Sequence, residues 1–124
     1  MLGSNTLGNG WVVPADGAAI TAAADLLRGL EIVAIPTETV YGLAADASNA
    51  DAVAHIYAAK GRPDFNPLIV HVPDLAAAEE LAEFGPLART LAEALWPGAL
   101  TLVLPLREGA PVAAAVTAGL PTIA

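Results

Sequence analysis

Between residues 18 and 30 the apolar side chains Ile20, Ala23, Leu27 and Leu30 recur at helical spacing. Directly behind them Ile32, Val33, Ala34 and Ile35 run apolar until Pro36 stops them. A helical period that gives way to a short apolar run bounded by glycine and proline reads as a helix followed by a buried strand. Asp16 or Thr21 can cap the helix and Gly29 lies near its end. Helix and strand patterns alternate again further along, which restricts the chain to an α/β or α+β unit.

After a loop over 36–42, residues 49–59 place Val53, Ile56 and Tyr57 on one helical face, and Gly61 and Pro63 end that helix. Residues 68–72 alternate as a strand does, with Ile69 and His71 on one face and Val70 and Val72 on the other. Alanine-rich helices are expected over 74–83 and 86–95. The second opens on Pro86 and carries Leu87, Leu91 and Leu95 at four-residue steps. Trp96-Pro97-Gly98 reads as a turn, and Leu100, Leu102 and Leu104 alternate with Thr101 and Val103 as a third strand. Residues 122–124 look like the beginning of another strand, from which we expect an incomplete domain. The expected organisation is a flexible leader over 1–15 and one domain over 16–124.

At 124 residues the chain is long enough for one core and too short for two ordinary domains. Its composition, 56% hydrophobic and 15% charged, argues against disorder. Thirteen acidic residues against five basic ones give a net charge of −8, so any nucleic-acid partner has to use a local patch. The absence of cysteine rules out a disulfide framework or thiolate metal site and is compatible with a cytosolic protein. With His55 and His71 the only histidines, a multi-histidine metal site is not expected. The first residues lack the basic and apolar regions of a secretory signal, and no stretch approaches the roughly 20 apolar residues of a membrane helix.

Lys60 and Arg62 stand one residue apart, bracketed by Gly61 and Pro63, directly after a helix. Such a pair suits an anion, the lysine as a compact charge and the arginine as a fork for two phosphate oxygens. It equally suits the C-terminal end of a helix dipole. In Pro36-Thr37-Glu38-Thr39-Val40-Tyr41-Gly42 an extended backbone sends Thr37 and Thr39 to the same side, either toward a ligand or into local backbone bonds. Asn66, extended because Pro67 follows it, can donate to a phosphate or form an Asx-turn. His71 is either a hydrogen-bonded structural residue or a ligand contact, and His55 reads as structural or exposed. The sequence carries neither a G-x-x-x-x-G-K-[ST] loop nor a G-x-G-x-x-G fingerprint. Ser4 and Ser48 lack a nucleophile-elbow setting, and Glu38 and Asp46 form no recognisable carboxylate pair.

Four blocks in order, PTETVYGLAADA, AVAHIYAAKGRPDFNPLIVHV, LWPGALTLVL and VTAGLPTIA, resemble the YrdC/Sua5 family. The resemblance runs from about Asp16 to the last residue. Lys60-Gly61-Arg62 matches the first half of the family's Lys-x-Arg plus Ser-x-Asn hallmark, and the second half is not in this sequence. The resemblance implies a twisted mixed sheet with flanking helices around a concave site, incomplete on its C-terminal side. It also implies a cytoplasmic nucleotidyltransferase that joins L-threonine, bicarbonate and ATP, with Mg²⁺, into threonylcarbamoyl-AMP and pyrophosphate. The product feeds tRNA modification through a downstream threonylcarbamoyl transferase machinery. Carried over by position, Lys60 and Arg62 are the catalytic pair, Lys60, Arg62, Asn66 and Thr122 face ATP, and Thr39 and His71 face threonine. Two alternatives stay open: a tRNA- or double-stranded-RNA-binding module without synthase activity, and a related domain of a carbamoyltransferase.

Overall fold

A computed structural model describes residues 12–61 and 66–124. Most of the expected leader, and Arg62 with it, therefore lies outside the described residues. Among these, helix α1 (Gly17–Arg28) leads into strands β1 (Val33–Ile35) and β2 (Gly42–Ala44), then helix α2 (Ala50–Lys60). Helices α3 (Leu75–Glu79) and α4 (Pro86–Leu95), strand β3 (Leu104–Pro105), helix α5 (Ala114–Thr117) and strand β4 (Thr122–Ile123) follow.

Helix starts obey local chemistry. The carboxylate of Asp16 accepts from the Ala19 N–H at 2.9 Å, the amide oxygen of Asn49 from Ala52 at 3.0 Å and Asp74 from Ala77 at 2.8 Å. Each satisfies a backbone donor that the first helical turn leaves unpaired. Helix α2 closes on Gly61 in the left-handed region, φ 59°, where a side chain would be strained. Helix α4 begins on Pro86, whose missing N–H costs nothing at that position.

Among the described residues the strands form two separate two-stranded antiparallel sheets flanked by helices. Strand β1 pairs with β2 in the register Val33 to Ala44 and Ile35 to Gly42, so the expected loop ends in a strand that sequence patterning did not single out. Strand β3 pairs with β4 through Leu104 opposite Ile123 and Pro105 opposite Thr122, in line with the strand expected near residue 122. Helices α2 and α5 meet over a core of Val53, Tyr57, Ala113 and Val116, against which Leu68 and Val70 also pack. Val53 and Val116 are each 1% exposed. Burying a side chain of that size contributes ~1.5–3 kcal/mol.

Four expectations change. Helix α3 stops at Glu79 rather than 83, because Glu83 N–H bonds Pro105 O at 2.9 Å and Arg107 N–H bonds Leu81 O at 2.8 Å. The last helical bond is Ala82 N–H to Ala78 O at 3.0 Å, and from there those partners draw residues 81–83 into a bridge to 105–107 instead of a further turn. Residues 68–72 keep the expected alternation, with Ile69 and His71 exposed, but form no regular ladder. Their backbone is held instead by Leu68 N–H to Val116 O and Val70 N–H to Ala124 O, both 2.9 Å. Residues 100–103 likewise alternate without strand pairing, and only Leu104 and Pro105 form β3. In α4 the buried side chains are Ala88 and Ala92, while Leu87 and Leu95 are 72% and 52% exposed. The leucine row marks one line of the helix; the inward face is its neighbour.

Candidate active site

The loop joining β1 to β2 is organised by the side chain of Thr37. Its Oγ1 accepts from the N–H groups of Thr39 and Val40 at 3.3 and 3.2 Å, and its hydroxyl donates to the carbonyl of Val40. This is a hydroxyl-centred turn, in which a threonine supplies bonds that the bent backbone lacks. Thr39 Oγ1 stands 3.4 Å from Thr37 Oγ1, so the two hydroxyls share one side as expected, but they do so around a bend that also brings Glu38 to the same space rather than along an extended backbone.

Residues 69–73 form a second wall. A third comes from the turn after α4, where the Trp96–Pro97 peptide is cis. Trp96 Nε1 donates to Leu100 O at 2.8 Å, and its ring meets Phe84 edge-on with centroids 6.3 Å apart. At Gly98 a Cβ would fall 2.5 Å from the carbonyl oxygen of Leu95, so only glycine fits. A cavity of about 530 Å³ lies between these walls, large enough for a small-molecule ligand. Its lining is chiefly apolar, with polar groups from Thr37, Glu38, Thr39 and His71 among others.

Thr39 and His71, distant in the chain, therefore line one space. His71 is exposed there, and among the described residues its ring makes no hydrogen bond that would mark it as structural. Lys60, Asn66 and Thr122 do not line the cavity. Lys60 is exposed in the last turn of α2, a position that also complements the helix dipole. Asn66 is half-buried, its carbonyl accepting from the Tyr57 hydroxyl at 2.6 Å. Thr122 is half-buried in β4, next to Ile123 and Ala124, which do reach the cavity. Trp96, Pro97 and Gly98 were absent from the sequence-derived site; an aromatic-Pro-Gly turn directly after a helix was the signal available for them.

The ionisable groups displaced from their ordinary values belong to the scaffold. The Ser48 hydroxyl and N–H, 2.6 and 2.9 Å from Asp46 Oδ1, hold that carboxyl low. Glu79 is lowered and Arg89 raised by their mutual hydrogen bonds, the shorter 2.6 Å. Among the described residues no three His, Asp or Glu side chains gather as a metal cage.

The family model Sua5/YciO/YrdC, described as telomere recombination, matches residues 25–124. The chain belongs to this family. All four motif blocks of the Sua5/YciO/YrdC resemblance contribute residues to the cavity lining, from Thr37 through Ile69 and Trp96 to Ile123. Threonylcarbamoyl-AMP synthase of Bacillus subtilis is 57% identical over 106 residues, covering 85% of this chain and 30% of the relative. The synthase of Pyrococcus abyssi is 49% identical over 106 residues, covering 85% and 31%. This Sua5/YciO/YrdC chain thus spans about a third of the length of the curated relatives it matches. P. abyssi Sua5 complexed with L-threonine superposes with a TM-score of 0.80 at 46% identity, over 90% of this chain and 32% of that one. A doubly substituted P. abyssi Sua5 gives 0.81 at 47%, over 87% and 33%.

Proposed function

We propose that this chain carries the threonine-binding wall and part of the ATP-binding set of an L-threonylcarbamoyladenylate synthase. The observation that carries the reading is the convergence of Thr39 and His71 on one cavity, in a fold shared with a Sua5 complexed with L-threonine. Hydroxyl, imidazole and apolar surface together suit a small amino acid that is polar at one end and carries a methyl group at the other.

In this reaction the amine of threonine captures CO₂ as a carbamate, a carbamate oxygen attacks the α-phosphorus of ATP, and pyrophosphate leaves. Lys60, Arg62, Asn66 and Thr122 take the nucleotide, with Lys60 and Arg62 offsetting charge as it develops on the phosphates. Catalysis of this kind rests on positioning and electrostatics rather than on a protein nucleophile. The described side chains offer no cage for Mg²⁺. Mg²⁺ would accompany the triphosphate and offset its charge, as small, strongly hydrated Mg²⁺ commonly does. The product is an activated threonylcarbamoyl group for transfer to tRNA by a separate enzyme, in the cytoplasm where ATP and tRNA meet. None of the described helices is long and apolar enough to cross a membrane.

The test is pyrophosphate release from ATP by the protein, assayed with threonine and bicarbonate each omitted in turn. Release that requires both is the expected result. A salt-sensitive tRNA shift with no such turnover overturns the synthase in favour of an RNA-binding module.

A further inference from the structure

Among the described residues of the α2–α5 core cluster, Tyr57 carries a polar side-chain group, a hydroxyl that bonds the backbone of Asn66. The residue is 7% exposed and lies one turn before Lys60 on α2. Its hydroxyl donates to the carbonyl of Asn66 at 2.6 Å and lies 3.0 Å from the carbonyl of Ala115. Pro67 follows with its restricted backbone, and Leu68 N–H bonds Val116 O at 2.9 Å. Asn66 is therefore tied from one side by a phenol of the helix that ends in Lys60. On the other side the chain is tied two residues later, where Leu68 N–H bonds Val116 O of α5.

We propose that Tyr57 is a positioning residue for nucleotide binding, setting Asn66 relative to Lys60 through the Asn66 backbone; this rests on the reading of Asn66 as an ATP contact. A buried tyrosine hydroxyl needs some acceptor in any fold. What makes this one a positioning group is that its acceptor belongs to the next described residue of the ATP set.

Tyr57→Phe, Asn66→Ala and the double variant of the full chain are compared with the unsubstituted protein. ATP and threonine affinities are measured separately by calorimetry, together with Tm. Tyr57→Phe keeps the ring and its packing and removes only the hydroxyl. The expected result is ATP binding weakened about five- to tenfold, the range for one lost hydrogen bond, with threonine affinity changed less than about twofold. In the Asn66→Ala background Tyr57→Phe adds no further loss, because two residues acting through one contact are not additive. Unchanged ATP affinity in Tyr57→Phe overturns the role. So does an equal loss for ATP and threonine that tracks Tm, and so do effects of the two substitutions that multiply. If the unsubstituted protein itself binds no ATP, the reading of the site falls and this role with it. That outcome is visible before any variant is made.

Discussion

Thr37 and Thr39 are the same residue type two positions apart, yet their surroundings give them different work. The Thr37 hydroxyl is spent on the loop, bonded to Val40 O and to the N–H groups of Thr39 and Val40. Both residues line the cavity, but the Thr39 hydroxyl has no such backbone bond among the described residues. Thr37→Val keeps the shape and removes those bonds, so threonine binding should weaken about three- to tenfold through a loosened loop. ATP affinity in the same variant should hold, and calorimetry with each ligand separates the two. For Arg62, a charge-assisted bond to phosphate is worth about 1.5–3 kcal/mol, so Arg62→Ala should weaken ATP binding roughly 10- to 100-fold. Unchanged nucleotide affinity removes Arg62 from the site. That the two hydroxyls share one side was legible from their spacing, although the loop bends and brings Glu38 to the same cavity. Which of the two threonines serves the backbone was not, since that depends on where the chain bends.

Among the elements, the turn after α4 and the bond between α3 and α4 carry consequences that no short sequence window contains. A Cβ on Gly98 would meet backbone, the Leu95 carbonyl, and backbone cannot swing aside as a side-chain tip does. Gly98→Ala should therefore cost about 1–3 kcal/mol, and a Tm equal to that of the parent would contradict this close approach. Arg89 makes a two-pronged contact with Glu79, at 3.2 and 2.6 Å, across the junction of α3 and α4. Hydrogen bonds from Arg89 hold the Glu79 carboxyl below its ordinary value of 4.5. A carboxyl lowered in the folded state stabilises fully above its unfolded value and ceases to do so as pH falls through the folded one. Arg89→Gln should accordingly lower Tm slightly at pH 7, as a partly exposed pair warrants, and the difference should vanish once Glu79 is protonated. Thermal melts across the acid range check both sign and window.

At the scale of the molecule, the small core between α2 and α5 also fixes the site. Val53 and Tyr57 come from α2, Val116 from α5, and Leu68 and Val70 from the stretch that continues to His71. Val53→Ala removes two methyl groups at a position 1% exposed and should cost about 2–3 kcal/mol by urea unfolding. Because one core backs both the 66–72 stretch and the end of α2, threonine and ATP affinity should fall together. This is the opposite of the selective loss expected for Tyr57→Phe.

Helix starts and the identity of candidate ligands could be read before any fold was known, because caps, periods and motifs are written within a few residues. Asp16 caps as its place before the helix suggested, Asn49 and Asp74 open the helices expected there, and Thr39, Lys60, Asn66 and His71 stand in recognisable blocks. Strand β2, the early end of α3, the inward alanine face of α4 and the cavity wall at Trp96 to Gly98 depended on partners far along the chain. The resemblance expected Thr39 and His71 to face one ligand, but nothing in their own segments brings them to one cavity. Such pairings are settled by which surfaces close against each other, and closure is a property of the packed molecule rather than of any segment in it.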